Sequence, residues 1–149
     1  MRILGVEIAS TEIRWVIVEG NKQAGKLTKL PNNKLELPKS GKDQCDNLIL
    51  LKKQVIAELQ QNPVDIVAVV RADDGCSPVR AKIECIVQLS AAECNVKCEL
   101  VAYQTIAAAE KTKIAKCTGS SLENAFGTPS PAYLRKAVIC AWTALNEPS

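Results

Sequence analysis

Arg2-Ile3-Leu4-Gly5-Val6-Glu7-Ile8-Ala9-Ser10-Thr11-Glu12-Ile13-Arg14-Trp15-Val16-Ile17-Val18 opens the chain, and its reading decides the fold. Ile3 to Ile8 is an apolar run of strand length, and Ile13 to Val18 is a second strand rich in β-branched residues. The polar turn Ser10-Thr11-Glu12 joins them. Side chains alternate along a strand, so Glu7 shares one face with Ile3 and Gly5, while Leu4, Val6 and Ile8 share the other. Both faces are apolar. The strand is therefore expected at the centre of a sheet, with the Glu7 carboxylate partly buried and in need of a partner.

Outward from this hairpin, residues 26–30 and 34–37 are short alternating pieces separated by Pro31-Asn32-Asn33. They read as a third strand, or a hairpin, on a sheet edge. From Asp43 the apolar period becomes helical through Cys45, Leu48, Ile49, Val55, Ile56 and Leu59, and Asn62-Pro63 stops it. Residues 66–70 form a continuous apolar run, as a central parallel strand does. Ser77-Pro78 is a helix start, and Val79, Ile83, Ile86, Val87 and Ser90 mark the buried stripe that follows. Residues 100–103 are the next strand, and Thr105 is placed to cap a short alanine-rich helix running to about residue 116. A polar loop, 117–130, leads to a second helix start at Ser130-Pro131 and to a stripe of Leu134, Val138, Ala141, Trp142 and Leu145. The order β-β-β-α-β-α-β-α-α predicts a single α/β domain over 1–149. Its mixed sheet has five strands, a three-strand meander plus two parallel strands added by right-handed crossovers, with helices on both faces.

Composition narrows the chemistry. The chain has 149 residues, 47% hydrophobic and 23% charged, a globular composition. Histidine is absent, which removes Ser-His-Asp and Cys-His nucleophiles and histidine metal sites. Aromatics are 3%, too few for a platform that stacks single-stranded bases. A net charge of +3 permits an anionic partner without demanding one. Six lysines (22, 26, 29, 34, 39 and 42) face one acid, Glu36, between Gly20 and Lys42. They suit either phosphate contacts or a solvated edge guarded against aggregation.

The seven cysteines, at 45, 76, 85, 94, 98, 117 and 140, are an odd number. Met1-Arg2 runs straight into the first strand, and no apolar stretch approaches the ~20 residues of a membrane span. A cytoplasmic protein with free thiols and no membrane contact is the expectation. Cys94 and Cys98 have no second cysteine pair or histidine to complete a zinc site. Cys85 and Cys140 fall in helical apolar patterns and read as small core residues.

The element order resembles the ribonuclease H-like fold, and the detail is similar to its RuvC-like branch. Arg2 to Glu7 resembles the first strand of that branch, where a hydrophobic-Gly-hydrophobic-Asp pattern places a metal-binding carboxylate. Residues 64–71 resemble its fourth strand, 81–89 the following helix and 132–145 the terminal helix. The chain looks closest to short uncharacterised bacterial proteins of the branch. The resemblance implies phosphodiester hydrolysis by two magnesium ions, gripped by carboxylates from strand one, strand four and the last helix. Here strand one keeps an acid, Glu7, but the strand-four position holds Arg71. The last-helix position falls at Arg135-Lys136, with no acid until Glu147.

The resulting expectation is a non-catalytic RuvC-like protein with no cofactor or metal. An ion pair of Glu7 with Arg71 would stand at the former metal site, and Arg71, Arg135 and Lys136 would meet nucleic acid. The alternative is a divergent magnesium-dependent nuclease using Glu7, Asp73, Asp74 and Glu84. Against it, Asp73-Asp74-Gly75 also reads as a solvated turn and Glu84 as a surface acid or the partner of a lysine. Residues 5–12 also resemble the first hairpin of sugar kinases and actin-like ATPases. Those enzymes need two such domains and a glycine-rich turn, which this stretch lacks. A second copy of the chain, paired through the edge at residues 26–37, is the other expected partner.

Overall fold

A computed structural model describes residues 1–22, 25–28, 30–73, 75–109 and 132–145. Its elements are β1 (Arg2–Ala9), β2 (Glu12–Gly20), β3 (Gly25–Thr28), β4 (Lys34–Glu36), α1 (Gln44–Gln61), β5 (Ile66–Val70), α2 (Pro78–Glu93), β6 (Lys97–Val101), α3 (Tyr103–Ala108) and α4 (Arg135–Ala144). A 3₁₀ turn, Ala132–Leu134, leads into α4. The sheet order is β3-β2-β1-β5-β6, with β4 also paired to β2. β1 runs antiparallel to β2 and parallel to β5, and β5 runs parallel to β6. This is the mixed α/β sheet expected, with helices on both faces.

Alternation builds two cores. Leu4, Val6, Ile13, Trp15, Ile17, Val67 and Val69 face α1 and α2, meeting Leu51, Val55, Leu59, Ile83 and Val87. Ile3, Val16, Val18, Ile66, Ala68 and Val70 face α4, meeting Ala137, Val138, Ala141 and Trp142. β5 is buried at every position because it lies between two parallel neighbours, β1 and β6, with helices covering both faces. α1 starts where Asp43 accepts the Asp46 N–H at 2.9 Å, and α2 where Ser77 accepts the Arg80 N–H at 3.2 Å ahead of Pro78.

Several expectations change in detail. The third strand is two pieces, β3 and β4, and both pair with β2 rather than with each other. Between them the Asn32 carbonyl accepts the Trp15 indole N–H at 2.8 Å. Among the described residues the sheet therefore has six strands in five positions. Its outer edge is short and interrupted, which is how exposed edges are kept from pairing. Thr105 lies inside α3, whose N-cap is Ala102. Cys140 is buried as expected, but Cys85 is exposed on the solvent side of α2. α4 is buried along the unbroken run Ala137 to Trp142, not along a single stripe. The helix start at Ser130-Pro131, the helix end near 116, Cys117 and the loop 117–130 lie outside the described residues, as do Asp74 and Glu147. Among the described residues, no helix is long and apolar enough to cross a membrane.

Candidate functional site

The site begins with Gly5. A Cβ there would stand 2.0 Å from the Ala137 carbonyl oxygen and 2.8 Å from the Ala141 Cβ. The missing side chain lets α4 rest its backbone on β1. That close approach sets the first turn of α4 over the next residue of the same face, Glu7.

Glu7 is flanked by two cations. Arg14 stands directly across the β1–β2 ladder, and its Nη1 lies 3.9 Å from one carboxylate oxygen. Lys136 of α4 brings Nζ to 3.7 Å from the other. Neither contact is within hydrogen-bonding distance. The Glu7 side chain is 12% exposed. Arg14 is also held by Glu12, Nε to Oε2 at 2.8 Å. The Lys136 ammonium lies 4.9 Å from the centre of the Tyr103 ring.

The expected Glu7–Arg71 pair is thus replaced by pairs to Arg14 and Lys136. The reason is parity. In the parallel register Gly5 lies beside Ala68 and Val6 beside Val69, so Val70 is the β5 residue level with Glu7. Val70 points into the α4 core. Arg71 takes the opposite parity, with its backbone N–H bonded to Val101 O at 2.8 Å and its side chain exposed.

Arg71 does share a crevice with Glu7. It opens beyond the carboxyl ends of β1 and β5, where open α/β sheets place their ligands. Its volume is about 420 Å³, and its charged lining is Glu7, Arg71, Asp73, Arg80 and Lys136. An adjoining hollow of about 600 Å³ shares Arg71, Asp73 and Tyr103. Arg135 is exposed at the start of α4, next to Lys136.

Glu84, an acid of the alternative nuclease set, is drawn away from this crevice. Its Oε2 accepts the Ala72 N–H at 3.0 Å and lies 3.9 Å from Arg80 Nη1. Arg80 in turn donates from Nε to Ile8 O at 2.9 Å and from Nη2 to Val70 O at 3.5 Å. These carbonyls lie near the ends of β1 and β5, past the last β1–β5 pair of Val6 with Val69, and need donors once that ladder stops. Arg80 and Glu84 therefore lock the strand ends together. Asp73 lines the crevice and is exposed. Among the described residues, no group of three or more His, Cys, Asp or Glu is placed to hold a metal ion.

Arg14 and Arg80 were missed in the sequence. Arg14 could have been found by counting outward from the Ser10-Thr11 turn, which pairs position 7 with position 14. Arg80 follows from its i,i+4 spacing to Glu84 at the start of α2. Burial, with Glu84 and Glu99 nearby, pushes the Cys98 thiol up to about 11. Burial raises the Cys140 thiol as well.

Residues 1–125 match the model of a family described as "Protein of unknown function (DUF3010)". No curated protein matches the chain. Three solved structures share the fold at low sequence identity. Thermus thermophilus RuvC is 17% identical with a TM-score of 0.72, over 96% of this chain and 92% of that one. The same organism's RuvC in complex with a Holliday junction substrate is 16% identical, TM-score 0.73, over 96% and 91%. Fowlpox virus resolvase, in complex with Holliday junction DNA, is 15% identical, TM-score 0.56, over 96% and 95%. The fold is therefore RuvC-like and ribonuclease H-like.

Proposed function

The chain belongs to the DUF3010 family, and from that premise we propose that it is a RuvC-like protein that binds nucleic acid through phosphate contacts without hydrolysing it. The observation that carries this reading is the placement of Glu7 between Arg14 and Lys136. A divalent ion needs several oxygen ligands, usually carboxylates. This crevice offers Glu7 and Asp73 against Arg71, Arg80 and Lys136. Two cations within 4 Å of Glu7 oppose a further positive charge there and favour an approaching anion. The described residues do not suit a magnesium pair, so no hydrolytic step is derived through one.

Arg71, Arg135 and Lys136 are the residues assigned to phosphate. Arg71 and Lys136 line the mouth of the crevice, and Arg135 is exposed beside them. Arg80 has a different role, since its Nε and Nη2 donate to the strand ends and its Nη1 is buried on the Glu84 side. The RuvC and resolvase neighbours described with Holliday junctions support branched DNA as the first ligand to try.

The test measures binding and cleavage in parallel. Labelled junction, duplex and RNA–DNA hybrid are titrated with protein in EDTA over a range of salt. The same substrates are then incubated with magnesium or manganese. Metal-free binding that weakens with salt, together with intact substrate, supports the reading. Metal-dependent cleavage that disappears in Glu7→Gln overturns it in favour of the nuclease.

A further inference from the structure

We propose that Lys34 and Arg14, held against Tyr133 at the β2–β4 edge, form a second phosphate subsite on the same nucleic-acid backbone. This rests on the nucleic-acid reading above and extends it across the sheet. Three charged residues stand in one row perpendicular to the strands. Lys34 of β4 pairs in register with Arg14 of β2, and Arg14 with Glu7 of β1. Lys136 closes the row from above Glu7.

Like charges directly opposite one another on neighbouring strands are unfavourable. Here the pair is kept together by an aromatic ring. The Lys34 ammonium is 4.1 Å from the centre of the Tyr133 ring, and the Arg14 guanidinium carbon is 5.9 Å from the same centre. The ring is fixed in turn, because the Tyr133 hydroxyl donates to Asn33 Oδ1 at 2.9 Å. Arg14 has carboxylate partners in Glu12 and Glu7, but among the described residues Lys34 has none. Two cations crowded onto one ring, one of them without an anion, make a site that a phosphate completes.

The spacing suits a backbone that passes over Glu7. Adjacent strands lie ~4.8 Å apart, so Lys34 and Glu7 are separated by roughly 10 Å, well beyond the ~3.4 Å that one phosphate advances a duplex strand along its axis, and different phosphates of one strand can reach either side of Glu7. One phosphate rests on Lys34 and Arg14, another on Lys136 and Arg71. Glu7 lies between the two subsites and repels the phosphate that would otherwise sit over it. The chemistry is that of a polyanionic backbone, not of base recognition, since the Tyr133 ring is already taken up by cations.

The test is the salt dependence of binding to a fluorescein-labelled DNA duplex, in EDTA, for the full chain. Wild type is compared with Lys34→Ala, Tyr133→Leu, Tyr133→Phe, Lys136→Ala and, as a control on the exposed side of α1, Lys53→Ala. Lys34→Ala should lower the log–log salt slope by ~0.9 and lose roughly threefold in affinity within ~50–200 mM salt. Its melting temperature should stay near wild type, because removing the cross-strand repulsion offsets the lost ring contact. Tyr133→Leu should follow Lys34→Ala in slope, while Tyr133→Phe keeps the ring and stays closer to wild type. A lower slope in Lys136→Ala with a wild-type slope in Lys34→Ala overturns the second subsite and leaves the crevice reading standing. No binding by wild type at low salt overturns both. A drop in Lys34→Ala melting temperature with no change in slope makes Lys34 a structural residue and overturns the proposal.

Discussion

On the α2 side of the sheet edge the Glu84 carboxylate is 10% exposed, accepts the Ala72 N–H at 3.0 Å and sits beside Arg80. On the α4 side Glu7 is 12% exposed, and its two cations stand beyond hydrogen-bonding reach at 3.7 and 3.9 Å. The two acids are almost equally buried, so burial does not separate them. Their partners do. Glu84 is tied to a backbone amide, and Arg80 to carbonyls near the ends of β1 and β5, so that side holds the fold together. Arg14 and Lys136 keep solvent-facing surface, at 29% and 45% exposure, so their charge is available to a ligand. An acid beside an arginine is a latch in one place and a spacer between phosphate-binding cations in the other.

The sharpest way to break this comparison is Arg80→Met. It strips the donors from Ile8 and Val70 and leaves Glu84 buried beside no cation. We expect ~3–5 kcal/mol of lost stability by urea denaturation, the usual consequence of removing one partner of a buried pair. A loss under ~1 kcal/mol, the range of exposed pairs, would show that this side is no latch. Gly5→Ala comes next. Its new Cβ overlaps the Ala137 carbonyl, so α4 must lift from β1, with a destabilisation of ~1–3 kcal/mol. Because Lys136 rides on α4, the same variant should weaken DNA binding, measured by anisotropy alongside the unfolding curve.

Glu7→Gln sharpens the contrast from the other side. Stability should move by less than ~1 kcal/mol, since the two cations left behind, Arg14 and Lys136, keep solvent-facing surface and behave as members of exposed pairs. Metal-free DNA affinity should rise on the order of fivefold, about 1 kcal/mol of relieved repulsion. Weaker binding in EDTA would contradict the spacer role. The smallest effect concerns the thiols. At pH 8 iodoacetamide should modify exposed Cys45 and Cys85 well before Cys98 and Cys140, as peptide mapping would show. Cys98 is held above its ordinary value of 9.0, at about 11. The folded state therefore keeps that proton longer than the unfolded chain does. The associated stability is intact below pH 9 and fades as the pH rises towards 11, readable in unfolding curves across that window. Equal labelling rates at all four thiols would remove this distinction.

Much of the architecture was legible in the residue order. Alternation in Ile3 to Ile8 put Gly5 and Glu7 on one face, and the continuous run at 66–70 marked the central parallel strand. Ser77-Pro78 started α2 as read. The site was legible only in part. Arg71 and Lys136 were picked out as bases where an active relative carries acids, and both line the crevice. The partner of Glu7 was misread, because a residue one step past Val70 has the wrong parity to reach it. Glu84 was read as a solvated or catalytic acid, because helical position alone did not reveal that Ala72 and Arg80 would claim it.

Local pattern was enough for much of what depends on neighbours along the chain: the type of the main elements, the Ser77 cap of α2, the order of strands along the chain and the charge at each position. Pairing across the sheet was a different matter. Which cation meets Glu7 depends on the register of the β1–β2 turn and on where α4 lands. That landing is set by a backbone contact at Gly5 between residues more than a hundred positions apart. Electrostatic partnership falls off over a few ångström, and only the folded chain brings Lys34, Arg14, Glu7 and Lys136 within that range of one another.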